Sequence, residues 1–222
     1  NERFGGRLKK TVEMAKKEFG LRKFFVWHAA MGYWGGVNEA TLPGYDVTDK
    51  EVRYTPSVMK GCETLFSWYP PVCGVVSPKH IYRFYQDFHR HLRQQGIDGV
   101  KVDNQAELEA LGEGSGGRVG MMRHYREALE GSTQVHFKGN LINCMSCSND
   151  MIYSTLNSTV TRTYTDFWPN KPESHGLHIY GNAMVSAWAG EFVHPDWDMF
   201  QSGHEKGEFH AVGRAISGGM VY

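Results

Sequence analysis

Three segments put carboxylates where chemistry could follow. The first is Asp98-Gly99-Val100-Lys101-Val102-Asp103, in a run that reads as a strand over residues 97–103. Strand side chains alternate between faces, so Gly99, Lys101 and Asp103 share one side and the two valines the other. A lysine and an aspartate on a face turned toward a core need a reason. One reading is a buried ion pair. The other is an active-site carboxylate at the C-terminal end of a barrel strand, where such folds place their catalysis. The same parity groups Arg162, Tyr164 and Asp166, with Arg162 inside a strand over residues 160–163 and Asp166 at its exit. Two carboxylates at two strand exits suit glycoside chemistry, which uses a pair. The third segment is His194-Pro195-Asp196-Trp197-Asp198-Met199. Carboxylates accept hydrogen bonds from sugar hydroxyls, and an indole offers a flat apolar face. Plainer readings stand beside these: Asp166 as a turn or cap, Asp196 as a cap, Trp197 as a core residue.

Other groups give weaker signals. His175, His178, His204 and His210 lack the HExxH spacing of a metalloprotease and read as core or surface histidines. Cys144 and Cys147 form a CxxC with no second pair, so neither metal nor other cofactor is expected. Gly35-Gly36 and Gly116-Gly117 read as turn glycines, not a phosphate loop.

The elements that must position these residues recur as a short strand followed by a helix. Strands are expected at residues 23–27, 72–76, 97–103, 140–144, 160–163, 192–198 and 220–222. Helices are expected at 8–19, 77–96, 118–129, 150–156, 175–189 and 208–217, with a long aromatic-rich loop over 29–70. Ser77-Pro78 supplies an N-cap and a first-turn proline, and Gly96 a helix stop. The alternation predicts an α/β fold of the (β/α)₈ TIM-barrel type, incomplete because its first strand is missing. Residues 1–222 are expected to form one catalytic barrel domain, a fragment of a longer multidomain protein.

Composition narrows the partner. Twenty-four basic residues balance 24 acidic ones, giving no electrostatic case for nucleic acid or an anionic membrane surface. No apolar run reaches bilayer length, and the polar N-terminal segment lacks a signal-peptide pattern. With only four cysteines, these features lean toward a cytoplasmic location. A neutral chain with 13% aromatic residues suits an uncharged small molecule such as a sugar.

Five segments also carry a resemblance. They are Trp27-His28-Ala29-Ala30-Met31-Gly32-Tyr33-Trp34-Gly35-Gly36, the 98–103 strand, Asn143-Cys144-Met145-Ser146, Pro195-Asp196-Trp197-Asp198-Met199-Phe200-Gln201-Ser202, and Arg214-Ala215-Ile216-Ser217-Gly218-Gly219. In this order they resemble the raffinose synthase and alkaline α-galactosidase family, the seed imbibition protein group of glycoside hydrolase family 36. The resemblance implies a retaining glycoside hydrolase acting on terminal α-galactosides of the raffinose type. Asp103 would be the nucleophile that forms a galactosyl-enzyme, and Asp166 the general acid/base. Lys101 would bind galactose hydroxyls, and Arg162 would orient substrate and acid. Trp34, Cys144, Trp197 and Asp198 would line the sugar site. Galactosyl transfer from galactinol to sucrose is the alternative reaction, and an inactive sugar-binding homologue is another. The chain departs from the family at Tyr164-Thr165, where the family has Ser-Asp.

Overall fold

The computed structural model describes residues 7–54, 56 and 70–222. Helix α1 (Leu8–Glu18) leads into strand β1 (Phe25–Ala29), and strands β2 (Val47–Glu51) and β3 (Val72–Val76) follow. Next come α2 (Ile81–Gln94), β4 (Gly99–Asp103), a 3₁₀ segment (Ala106–Leu111) and α3 (Gly117–Phe137). The chain continues through β5 (Leu141–Asn143), α4 (Asn149–Tyr153), β6 (Val160–Arg162), α5 (Pro172–Ala189), β7 (His194–Asp196) and α6 (Gly207–Ser217). Five strands form one sheet in the order β1-β4-β5-β6-β7, and every pairing in it is parallel. The α/β class with a parallel sheet is therefore as the sequence predicts.

Two strand expectations are corrected. Val72–Val76 is not a member of the parallel series: it pairs antiparallel with β2, outside the main sheet. It does not lie between its neighbours in sequence, because β1 pairs directly with β4, from Phe25 beside Gly99 to Ala29 beside Asp103. Gly74 lets the 30–46 loop fold onto β3, since a Cβ there would lie 1.8 Å from the Val37 carbonyl oxygen. Residues 220–222 form no strand; the Tyr222 carbonyl accepts from Phe200 N–H (3.4 Å). The helix expected from Ser77 starts at Ile81, and the Ser77 hydroxyl accepts from the Lys79 N–H of the preceding turn (3.4 Å).

The core lies between the sheet and its helices. Val100 and Val102 are fully buried and join Ile81 and Tyr85 of α2 and Met121, Met122, Tyr125 and Leu129 of α3. Ile81, Phe84, Tyr85, Phe88 and Leu92 recur at helical spacing, which turns one face of α2 inward. Each fully buried large side chain contributes roughly 1.5–3 kcal/mol relative to exposure. The strand exits are tied by Arg126 of α3, which donates to Gln105 (2.8 Å), Asn143 (2.9 Å) and Ser158 (2.9 Å) and pairs with Glu130. No helix among the described residues is long and apolar enough to cross a membrane.

A buried histidine pair makes this core sensitive to acid. His28 Nδ1–H donates to the Ala29 carbonyl (2.8 Å), so its Nε2 must accept from His89 Nε2–H (3.2 Å). Burial pushes His28 down to about 4 and His89 down to about 2, from an ordinary value of 6.5. Folded-state values below the unfolded one mean that the folded protein holds fewer protons. Their stabilisation is full above 6.5 and declines as pH falls toward the folded values. Between pH 7 and 5 each ring should cost about 2 kcal/mol of stability. Urea midpoints at the two pH values test this, with a flatter decline expected for His89→Gln. An equal decline in that variant contradicts it.

Candidate active site

The exits of β4, β6 and β7 bring the charged side chains together. Lys101 and Asp103 are half-buried on the face of β4 opposite the core valines. The Lys101 ammonium lies 3.3 Å from Asp198 Oδ1 and donates to the Tyr222 hydroxyl at 2.9 Å. It also sits 5.2 Å from the centroid of the Tyr222 ring. Asp103 accepts two hydrogen bonds: the Trp27 indole N–H on Oδ2 (3.0 Å) and the Asn104 backbone N–H on Oδ1 (2.7 Å). Trp27 comes from β1, directly beside Lys101 in register. Trp34 packs on it with centroids 5.5 Å apart, and Tyr33 meets it edge-on at 6.0 Å. An aromatic wall thus flanks Asp103.

Arg162 closes β6 and is buried. Its Nη2 contacts Asp166 Oδ1 at 2.6 Å and Asp198 Oδ2 at 2.8 Å, while Nη1 points at Cys144 Sγ at 3.5 Å. Asp198, also buried, takes further donors from the Phe167 N–H (2.8 Å) and Lys101. Burial by itself raises its carboxyl pKa, but the Arg162 and Lys101 cations outweigh that and hold it below the usual carboxylate range. Asp196 is wholly buried and accepts from Asp198 N–H (2.8 Å) and the Tyr222 hydroxyl (3.0 Å). Burial pushes the Cys144 thiol up to about 12, so it remains a thiol. Cys147 Sγ lies 3.1 Å from the Arg162 carbonyl, so both cysteines of the CxxC attend to Arg162. Among the described residues no group of three or more His, Cys, Asp or Glu could hold a metal.

A family model described as raffinose synthase or seed imbibition protein Sip1 matches residues 2–222. The chain belongs to that family. Among its curated relatives is a protein of Arabidopsis thaliana named probable galactinol–sucrose galactosyltransferase 6. It is 44% identical over 97% of this chain and 29% of its own length. The Pisum sativum galactinol–sucrose galactosyltransferase is 38% identical over 95% of this chain and 28% of itself. Stachyose synthase of Pisum sativum is 34% identical over 96% and 26%. The chain spans less than a third of the length of these relatives. An α-galactosidase from Thermus thermophilus, solved with stachyose, shares the fold with a TM-score of 0.59 at 15% identity. That match covers 100% of this chain and 49% of the other.

In this chain, most residues singled out from sequence meet. Lys101, Cys144, Arg162, Asp166 and Asp198 form one connected cluster; Asp103 joins it beside Cys144, and Trp34 reaches Asp103 through Trp27. Trp197 does not. Its indole N–H donates to Ser186 on α5 (2.9 Å), and it lies near Gly213 of α6, on the helix side of the sheet. β7 ends at Asp196, and in the turn beyond it the Trp197 side chain goes to the helices while the Asp198 carboxylate goes to Arg162. Tyr164 also leaves the expected face: its ring covers Gly181 of α5, where a Cβ would come within 2.5 Å. Strand parity stops at Arg162, where β6 ends. The cluster also includes Trp27 and Tyr222, which the sequence reading did not single out by role, and Asp196, which it grouped with Asp198 but gave no role.

The family's RAISGG segment has a supporting role. Arg214 is fully buried and donates to the carbonyls of Asp198 (3.0 Å) and Met199 (3.1 Å). It thereby braces a turn in which Asp198 adopts a left-handed φ of 68°. Gly219 passes so close to β7 that a Cβ would lie 1.8 Å from the Pro195 carbonyl oxygen.

Proposed function

We propose that this chain carries the galactosyl-binding and catalytic residues of an enzyme that moves an α-galactosyl unit from a galactinol-type donor to a sugar acceptor with retention. Residues 1–222 would be part of one (β/α)₈ barrel. The observation that supports it best is the cluster at the strand exits, in which Asp103 faces an aromatic wall and Arg162 links Asp166 to Asp198.

The chemistry runs in two displacements. An Asp103 carboxylate oxygen attacks the anomeric carbon while the glycosidic C–O bond breaks and Asp166 gives its proton to the leaving oxygen. The galactose is then an ester on Asp103. Asp166, now a carboxylate, takes the proton from an acceptor hydroxyl, whose oxygen attacks the anomeric carbon and frees Asp103. Trp27 and Asn104 orient the nucleophile through its two oxygens. Lys101 and Asp198 offer a donor and an acceptor to galactose hydroxyls. Asp166 is mostly exposed at the strand exit, where a leaving or entering sugar oxygen can reach it.

Transfer is preferred to hydrolysis because relatives at 44% and 38% identity are named galactinol–sucrose galactosyltransferases, while the α-galactosidase likeness is one of fold at 15% identity. Tyr164-Thr165, in place of the family's Ser-Asp, favours a second reading as an inactive sugar-binding homologue. Full-length protein incubated with galactinol and sucrose, with products separated by chromatography, distinguishes these. A trisaccharide is expected. Free galactose alone sinks the transferase reading, and no turnover with tight galactinol binding supports the second.

A further inference from the structure

The turn that follows Asp103 contains a buried polar pair that the two displacements do not use. Asn104 has a left-handed φ of 59° and is completely buried. Asparagine tolerates that conformation better than most residues, but it still needs support. Its backbone N–H donates to Asp103 Oδ1 at 2.7 Å, so its conformation aims a donor at the nucleophile. Its side-chain amide donates to Glu107 Oε2, while its Oδ1 has no hydrogen-bond partner. Glu107 is therefore the single polar anchor of that side chain among the described residues.

Glu107 is an unusual anchor. It lies on the 3₁₀ segment, is 1% exposed and has no cationic partner among the described residues. A buried carboxyl without a cation costs several kcal/mol unless its hydrogen bonds compensate. Its other contact is Cys73 of β3, whose Sγ lies 3.8 Å from Oε1 and 3.5 Å from the carbonyl oxygen of Trp34. The same carboxyl thus touches the turn that aims a donor at Asp103 and, through Cys73, the loop that carries the aromatic wall. Beside it, Gln105 is fixed separately by the Val102 carbonyl (2.9 Å), Asn143 (3.0 Å) and Arg126 (2.8 Å).

We propose that Glu107 is a positioning residue for Asp103: acting through the Asn104 side chain, it locks the exit turn so that the Asn104 N–H holds one carboxylate oxygen and the other stays with Trp27. This rests on the reading of Asp103 as nucleophile. Burial pushes the Glu107 carboxyl up to about 7, against the opposing pull of its Asn104 and Cys73 contacts. The titratable groups that face it are Cys73 on β3 and Tyr54 after β2. The ionised form is the better acceptor for the Asn104 amide, so kcat should rise with pH through about 7.

The test uses the full-length enzyme with galactinol and sucrose. Glu107→Ala should lower kcat by roughly 10- to 100-fold, the scale of a reacting group misplaced by a fraction of an ångström, with KM within about twofold. Glu107→Gln keeps a carbonyl oxygen for the Asn104 amide. It should recover most of the activity and lose the pH limb near 7. Asn104→Gly keeps the left-handed turn but removes the lock, so it should lose as much as Glu107→Ala, and the double variant no more than either. Wild-type kcat in Glu107→Ala, equal losses in the Gln and Ala variants, or additive losses in the double variant would each overturn the proposal. Asp103→Asn separates the two readings. If it is inactive while Glu107→Ala is fully active, only the positioning role fails; if it is active, the nucleophile reading itself fails. Melting curves identify any variant that does not fold, and Asn104→Gly then carries the test.

Discussion

Asp103→Asn is expected to stop galactosyl transfer in a protein that still folds. The loss in kcat should be roughly 10³-fold or more, because an amide cannot form the ester on which both displacements depend. Folding should survive, because the replacement is isosteric and keeps one carbonyl oxygen for either the Trp27 indole or the Asn104 N–H. The donor left without an acceptor costs about 1–3 kcal/mol, visible as a lower melting temperature. Single-turnover assays with galactinol measure the first displacement alone. A variant that keeps more than about a tenth of the wild-type rate rules out Asp103 as the nucleophile. A second variant makes the assignment chemical. Asp103→Gly opens space on that face of the sugar, and added azide should take the place of the carboxylate and yield the β-galactosyl azide. Absence of that product together with a restored α-linked product would point to another nucleophile.

Arg162→Met should be the most destabilising single change at the site. The guanidinium is buried and joins Asp166, Asp198 and Cys144 at once. Its removal leaves Asp198 buried with Lys101 as its remaining ion-pair partner among the described residues. Breaking a buried pair from one side costs about 3–5 kcal/mol, since the remaining charge is left uncompensated. Urea unfolding at pH 7 measures this, and adding Asp198→Asn to Arg162→Met should restore part of the loss. A cost below about 1 kcal/mol would mean that water reaches Asp198 freely. Arg162→Lys should fall between, because one ammonium cannot span three partners.

The sequence foretold some of this arrangement better than the rest. The β4 strand was legible because both its faces are buried and its residues alternate in chemical type: valines toward the helices, Lys101 and Asp103 away from them. β6 is only Val160–Arg162, so alternation carried past its end misplaced Tyr164. Trp197 was read by type, as an indole beside carboxylates, but it lies past the end of β7 and its indole turns to Ser186 on the helix side. The β2–β3 pair was invisible because a short apolar run such as Val72–Val76 looks the same in a parallel or an antiparallel sheet. Tyr222 was unreadable for a different reason. It meets Lys101 from 121 positions away, and nothing local marks that approach.

β4 sorts substitutions by kind. Changes at 100 and 102 alter the packing against α2 and α3, whereas changes at 101 and 103 alter the charged cluster at the strand exit. Gly99 fixes this division, since a Cβ there would come within 2.5 Å of the Phe25 ring and 2.7 Å of the Asn140 carbonyl oxygen. Packing residues and charged residues therefore occupy separate, interleaved positions of a five-residue strand. Within this strand, conservative changes at 100 and 102 should shift thermal tolerance, whereas Lys101 is the one position at which a change should alter the charged cluster without removing Asp103 or crowding Gly99.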